Sequence, residues 1–143
     1  MSIESSLKTI TEVLTKLGVD PTTYQLPDSN GKGWAVPMDK SILFVNLGEV
    51  DGQPSLRMTC PILFMPTQDL MPFYRKLLDL NSKLIDGALA MDRDTVYIIT
   101  QQALDGLSSA AVEGLIQRTR KQADVLTDLL IQEFHSARYW RPI

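Results

Sequence analysis

A thiol and an imidazole are the first groups in this sequence that could do chemistry together. Cys60 is the single cysteine and His135 the single histidine. A nucleophilic pair of this kind needs a base within hydrogen-bond reach and a third group that orients the base. No neighbouring residue supplies that third group, and the place of His135 near a predicted helix end favours a solvated imidazole facing the helix dipole. One cysteine also excludes an intramolecular disulfide and a multi-thiolate metal site.

Two short segments match ligand-binding motifs only in part. The segment Gly31-Lys32-Gly33 lacks the GxxxxGK[ST] spacing of a phosphate-binding loop, and no apolar strand precedes it, which favours a flexible connector. Asp92 and Asp94 are spaced like two calcium ligands, but the other positions of a calcium loop are missing and a strand follows, which favours a hairpin turn. The sequence therefore predicts no catalytic residue, no metal site and no cofactor.

Composition and charge narrow the possible partners. The 143 residues are 44% hydrophobic and 22% charged, which predicts one folded domain over residues 1–143. The net charge of -3 leaves no broad excess of Lys and Arg to neutralise phosphates, so nucleic acid is not an expected partner. No apolar run reaches about 18 residues, and no charged leader precedes an apolar run. We therefore expect no membrane association and a cytoplasmic location.

One basic patch could still suggest a nucleic-acid site. Arg118, Arg120 and Lys121 lie close together in the last predicted helix. Asp124 and Asp128 follow within one to two turns and partly neutralise the patch, so a solvated helix face is the favoured interpretation.

The periodicity of apolar residues predicts the elements that position these groups. The order is helix, three strands, helix, two strands, helix, which indicates an α+β fold with a bent antiparallel sheet of about five strands and no parallel βαβ repeat. The three predicted helices cover residues 3–17, 68–86 and 108–134, and Ser2 and Ser108 are the predicted N-caps of the first and the last. The five predicted strands cover residues 34–38, 41–50, 55–65, 88–91 and 95–102.

Connections and prolines refine this outline. Residues 20–33 are predicted to form a surface loop, and Asp51-Gly52 a hairpin turn. Pro37 and Pro61 each remove a backbone donor. The strand at Pro37 is therefore predicted to be at an edge or to end there, and the strand at Pro61 to be at an edge or to carry a bulge. Tyr139-Trp140 in the tail either fold back on the body or contact a neighbour.

The central helix is the most apolar element. Its apolar arc covers roughly half the circumference, more than the ~100° stripe of a surface helix. One interpretation is a two-sided core, and the other, which we favour, is an interface with a second copy or another protein. The residues predicted to form a dimer interface are Leu70, Phe73, Tyr74, Leu77 and Leu78. Asn81 lies inside the arc, and we favour a helix-end cap over a buried amide bonded to backbone.

Other apolar side chains are candidates for binding a protein partner. On the sheet these are Ile42, Phe44 and Met58, which we expect to be exposed. On the last helix they are Val125 and Leu129, which form an apolar shoulder beside the core stripe.

From Leu77 onward the sequence resembles the type III secretion chaperone-like family, in particular its YbjN-like branch. The run from Leu77, Leu80 and Asn81 to Gly87 and Asp92 carries the resemblance. It continues through the final strand and the turn before the last helix, with Val96, Leu104, Gly106 and Leu107. The sequence departs from the pattern at residues 101–103, where a Leu-Pro-Leu-like triplet is common.

The resemblance implies a small α+β domain with a strongly bent antiparallel sheet, cytoplasmic, homodimeric and without enzymatic activity. Secretion chaperones in the family wrap an extended client over apolar patches on sheet and helix, and YbjN-like members are described in terms of regulation. We therefore expect a non-catalytic homodimer that binds an unidentified protein client. The alternative is a small-molecule or regulatory sensor with a pocket between the sheet and the last helix, and an enzyme comes third.

Overall fold

The computed structural model describes residues 3–38, 41–136 and 138–139. Its elements, in chain order, are α1 (Ile3–Lys16), β1 (Gly33–Pro37), β2 (Ile42–Val50), β3 (Gln53–Phe64), α2 (Leu70–Asn81), β4 (Ala88–Asp92), β5 (Thr95–Ala103) and α3 (Ser109–Phe134). The strands form one antiparallel sheet in the order β1-β2-β3-β5-β4. The predicted α+β class and element order are confirmed. Ser2 and Trp140, to which the sequence assigned roles, lie outside the described residues.

The inner face of the sheet packs against α3, and α1 packs against α3 in turn. Alternate strand residues point to this face because successive side chains of a strand point to opposite sides. The buried apolar side chains of the strands are Trp34, Val36, Leu43, Val45, Leu47, Leu56, Met58, Cys60, Ile62, Leu63, Leu89, Val96 and Ile98. The buried face of α3 consists of Val112, Leu115, Ile116, Thr119, Ala123, Leu126, Thr127 and Leu130.

The long last helix begins and ends where the sequence predicts. The Ser108 hydroxyl accepts a hydrogen bond from the Ala111 amide at 3.1 Å, which satisfies one of the free donors of the first turn. The helix ends at Phe134, and His135 adopts a left-handed conformation at its C-cap. His135 is exposed, as a solvated histidine at a helix end should be.

The central helix is shorter than the predicted range 68–86. It begins after Asp69, which has a left-handed backbone (φ 57°) and makes no side-chain cap hydrogen bond. It ends at Asn81, and Ser82 donates from its backbone to the last turn. The apolar residues Leu84 and Ile85 therefore lie outside the helix.

A β-bulge interrupts β3 near Pro61, one of the two outcomes predicted for this proline. The register with β5 shifts between Pro61 and Leu63. As a result Ile62 and Leu63, which are consecutive, are both buried. Phe64 moves to the outer face, whereas uninterrupted alternation would place it with the buried residues of β3.

The edge at β1 is covered by the loop over residues 20–33. The Leu26 amide donates to the Gly33 carbonyl at 2.8 Å, and the Ala35 amide donates to the Tyr24 carbonyl at 2.9 Å. The Trp34 indole donates to the Pro21 carbonyl at 3.0 Å. The loop thus occupies backbone groups that an exposed edge would offer to another chain.

A side chain covers the opposite edge at the centre of β4. Asn81 Nδ2 donates to the Leu89 carbonyl at 3.1 Å, and Asn81 Oδ1 accepts from the Leu89 amide at 2.6 Å. Asn81 is the last residue of α2, but the C-cap is Ser82 and the Asn81 side chain bonds the backbone of β4 in place of the helix end. The favoured interpretation as a helix-end cap is therefore wrong, and the other one, an amide bonded to backbone, explains the contacts.

We expect the substitution Asn81→Ala to lower the free energy of unfolding by about 1–3 kcal/mol, because it leaves the backbone groups of Leu89 without their partner. Urea denaturation measures this change. The exposed Arg75→Ala, in the same helix, is the control and should change stability by less than about 0.5 kcal/mol. Equal effects of the two substitutions would contradict a structural role for the Asn81 amide.

Candidate protein-binding surfaces

The outer face of the sheet, which we term the open face, carries partly exposed apolar side chains in two rows. Strand register aligns the first row, which consists of Ala35, Phe44, Thr59, Ile99 and Ala88. The second row consists of Pro37, Ile42, Pro61, Tyr97 and Ala90. All ten side chains are half-buried by their neighbours. Within the part of the chain that the structure describes, helix α3 packs on the other face, so these rows face away from it.

Polar residues border the open face at both ends of the strands. Asn46, Arg57 and Gln101 are aligned by register beside the first row. Beyond the second row, the tilted rings of Tyr139 and Phe64 pack against each other with centroids 5.5 Å apart, next to the hairpin at 92–95. A depression of about 530 Å³ lies between these borders, and the residues that line it are Arg57, Thr59, Pro61, Asp92, Arg93, Asp94, Thr95, Tyr97 and Tyr139.

The structure places two of the three predicted sheet contacts on this face. Ile42 and Phe44 are partly exposed there. The prediction that Met58 is exposed is wrong. Met58 is opposite the buried Val45 and Thr100 and is itself only 1% exposed. Its odd-numbered neighbours in β3 are the ones that point outward.

The apolar arc of α2 is divided between the core and the surface. Phe73 and Leu77 are buried, and the Phe73 ring contacts Phe134 edge-to-face with centroids 5.2 Å apart. These two side chains are therefore not free to anchor a dimer, which corrects that part of the prediction. Tyr74 is 38% exposed and Leu78 71% exposed.

The exposed part of the arc forms a second surface, which we term the α2 face. It consists of Leu70, Tyr74 and Leu78, which follow each other at four-residue intervals and therefore lie on one side of the helix. Contact of the α2 face with a second copy stays a prediction. The core interpretation of the wide apolar arc therefore holds for Phe73 and Leu77, whereas the interface interpretation remains a prediction for the exposed residues.

The shoulder on α3 is exposed as expected. Val125 is 57% exposed and Leu129 38% exposed. Val125 lines a depression of about 390 Å³ together with Leu84, Arg118, Lys121, Gln122 and Leu126. Arg118 forms an ion pair with Asp86 at 2.9 Å, so this part of the basic patch is neutralised by an acidic residue outside α3.

The groups that could do chemistry lie in different environments. Burial raises the pKa of the Cys60 thiol to about 11, although a hydrogen bond from its sulfur to the Ser41 hydroxyl acts in the opposite direction. A protonated, buried thiol is a poor nucleophile at neutral pH. Among the described residues, no group of three or more His, Cys, Asp or Glu side chains could hold a metal ion.

The space between the sheet and α3 is filled by packed side chains. The hydroxyls of Thr100 on β5 and Thr119 on α3 are 3.4 Å apart there. Gly87 lies close by, since a Cβ at that position would come within 3.1 Å of both the Ile99 carbonyl and the Thr100 hydroxyl. In the described ranges, no helix is both long enough and apolar enough to cross a membrane.

The architecture described above is the type III secretion chaperone-like fold. The structure of ExsC in its complex with ExsE matches with a TM-score of 0.70 at 13% identity, over 89% of this chain and 94% of that chain. The Yersinia pestis type III secretion chaperone SycH, in complex with a stable fragment of YscM2, matches with a TM-score of 0.58 at 18% identity, over 83% of this chain and 97% of that chain. YbjN from E. coli, a proposed transcription regulator, matches with a TM-score of 0.58 at 12% identity, over 92% of this chain and 94% of that chain.

No protein-family model matches the sequence, and no curated protein matches it significantly. The resemblance seen in the sequence is confirmed by these structures at the level of the fold. At identities below 20%, the shared fold does not by itself transfer an activity or a partner.

Substitutions at two consecutive residues of β2 should have different effects on stability, because the two side chains point to opposite faces of the sheet. Leu43 is fully buried and Phe44 is on the open face. We expect Leu43→Ala to lower the free energy of unfolding by about 2–5 kcal/mol. Phe44→Ala should lower it by about 0.2–1 kcal/mol, the range of cross-strand pair contacts. Urea denaturation measures both changes. An equally large loss for Phe44→Ala would show that this side chain is covered in solution.

Proposed function

We propose that this chain is a non-catalytic, homodimeric protein-binding module with a chaperone-like role. The open face is the observation that carries this proposal, because it presents two aligned apolar rows that the described helices leave uncovered. Exposed apolar patches of this kind mark protein interaction sites more often than they mark ordinary surface. The cytoplasm is the proposed location.

The similar structures support the protein-binding part of the proposal. ExsC was solved with ExsE, and SycH with a fragment of YscM2, so in both structures this fold is seen holding another protein. The partner of the present chain is proposed to contact Ile42 and Phe44 on the open face. Val125 and Leu129, on the shoulder of α3, are proposed as additional contacts.

The dimer is proposed to form through the α2 face. Tyr74 and Leu78 are on the same side of α2 as Asn81, whose side chain reaches the edge of β4. Two copies that meet along α2 would therefore also bring their β4 edges close to the interface. Aromatic and aliphatic side chains of this kind are the usual anchors of protein interfaces.

The arrangement of titratable groups supports a non-catalytic role. Cys60 is buried on the inner face, whereas His135 is exposed at the end of α3. The sensor alternative requires a pocket between the sheet and α3, and where Thr100 faces Thr119 the two hydroxyls are 3.4 Å apart, which leaves no room for a ligand at that point.

The molecular mass of the protein in solution tests the proposed dimer. We expect light scattering at micromolar concentration to give about twice the 16.0 kDa mass of one chain. The double substitution Tyr74→Glu with Leu78→Glu should give the mass of one chain, because it buries charges without partners in the interface. Val50→Glu is the control, since Val50 is 46% exposed on the β2–β3 hairpin. A wild-type chain that is monomeric under these conditions would rule out the dimer.

Partner binding is tested by affinity capture from the source organism with the immobilised chain. We expect a protein that is retained by the wild type and by Val50→Glu, and is lost with Phe44→Glu, because a charge in the first row disfavours an apolar contact. Circular dichroism should confirm that both variants are folded. Capture of the same partners by Phe44→Glu would exclude the open face as the binding surface.

A further inference from the structure

We propose that Arg138 and Tyr139, which we term the strap, occupy a stretch of strand edge on β3 that an extended segment of a protein partner takes when it displaces the strap. The segment that fits carries a basic residue followed by an aromatic one. The proposal rests on the protein-binding function proposed above, and it adds a second contact that the chain itself regulates. Its evidence is the pairing of β3, the side chains that hold the strap and a buried hydroxyl beside it.

Strand β3 extends beyond its pairing with β2. The last residues that the two strands pair are Phe44 and Thr59. Strand β3 continues to Phe64 and remains paired with β5 on its other side. Within the described residues, none of the five strands pairs with the β2 side of this last part. A strand edge of this kind offers backbone donors and acceptors to another segment.

The strap lies on this edge as a short antiparallel segment. Arg138 is paired with Leu63 in a β-bridge, and the Tyr139 amide donates to the Ile62 carbonyl at 3.1 Å. The chain leaves α3 through His135, whose left-handed backbone ends the helix. The strap therefore shows that the edge accepts an extended segment, and it shows the direction in which such a segment runs.

Two side-chain contacts define what an occupant of this edge should carry. The Arg138 guanidinium donates to the Asp128 carboxylate of α3 at 2.8 Å. The Tyr139 ring packs against the Phe64 ring with centroids 5.5 Å apart. Consecutive side chains of an extended segment point to opposite sides, so a basic residue followed by an aromatic one reproduces both contacts. Tyr139 also lines the depression on the open face, so a segment on this edge would be continuous with a partner bound there.

The contacts that hold the strap are ones that a partner can replace. The side chains of Arg138 and Asp128 are 30% and 66% exposed, and ion pairs exposed in this way contribute little and are weakened by salt. The bridge to β3 is an isolated residue pair, and segments with few buried contacts open at low free energy. An incoming segment of the same chemistry would make the same contacts, so it would compete directly with the strap.

A buried hydroxyl beside the strap favours its release. Ser136 is 6% exposed, and its Oγ has no hydrogen-bond partner among the residues that the structure describes. A hydroxyl buried without a partner is less stable than one in water. Movement of the strap away from β3 would return this hydroxyl to water, which offsets part of the loss of the strap contacts. The open and closed states are therefore closer in free energy than the strap contacts alone imply.

A fluorescein-labelled peptide with the sequence of residues 136–143 tests the proposal by fluorescence anisotropy. The protein variant that frees the edge, which we term the released variant, combines Arg138→Glu with Tyr139→Pro and so removes the ion pair, the ring contact and the backbone donor. We expect it to bind the peptide at least about tenfold more tightly than the wild type, whose own strap competes. Arg138→Glu alone keeps the backbone donor and should increase the affinity about two- to fivefold. Circular dichroism should show that all three proteins have the same secondary structure.

Two further changes test the contacts of the bound peptide. Methylation of the peptide nitrogen at Tyr139 removes the donor to the Ile62 carbonyl and should abolish binding, because main-chain hydrogen bonds supply the affinity of strand addition. Asp128→Lys in the released variant should weaken binding of the peptide about two- to fivefold and strengthen binding of a peptide with Arg138→Glu by a similar factor. Asp124→Lys, at an exposed acidic residue one turn earlier on α3, is the matched control.

Each outcome decides one of the two proposals. Equal binding of the peptide by the wild type and the released variant would overturn the strap, since the tail would not compete for the edge. Equal binding of the methylated and unmethylated peptides would overturn the pairing with β3. A fall from the mass of two chains to that of one in the released variant would show that the tail bridges two copies, which overturns a strap within one chain. If no peptide binds, the strap inference fails, and the capture experiment with Phe44→Glu decides separately whether the open face binds a protein.

Discussion

The packing of α3 against one face of the sheet is the interaction on which the other features depend. Val112, Ile116 and Leu130 of the helix belong to one core with the buried side chains of the sheet, and α3 contacts β3 and β5. Burial of apolar area drives this contact at about 25 cal/mol per Å². A helix of 26 residues is about 39 Å long and so extends across the sheet. With α1 also on the side of α3, the second face of the sheet is the one proposed to bind a partner.

The bulge near Pro61 has effects on both sides of the sheet. It allows Ile62 and Leu63 to be buried in succession, and it turns Phe64 outward to meet Tyr139. It also lies just beyond the point where β2 stops pairing with β3, so the freed side of β3 is available to residues 138–139. One proline thus accounts for the position of the tail and for one border of the open face.

Local sequence signals predicted the elements but not their orientation. Residues that are neighbours in the sequence are enough to predict the cap at Ser108, the hairpin at Asp51-Gly52 and the order of the strands. Alternation in β3 shows that Leu56, Met58 and Cys60 share a face, but it does not show which face meets α3. That choice depends on pairing with β2 and β5, which are distant in sequence, so Met58 was assigned to the wrong side. The same holds for Phe73, since its ring packs against Phe134 at the far end of α3. Leu77, one turn further along α2, is buried as well.

The alternation of β3 has a consequence for how such a protein can change. Even-numbered residues from Leu56 to Cys60 belong to the core, whereas Arg57, Thr59 and Pro61 point to the open face. Under the proposed function, stability and partner recognition therefore depend on alternate residues of a single strand. A substitution at position 57 or 59 would then change the recognition surface while the packing beneath it stays the same. On that proposal, related chains with this fold would diverge in specificity one outward residue at a time, without a compensating change in the core.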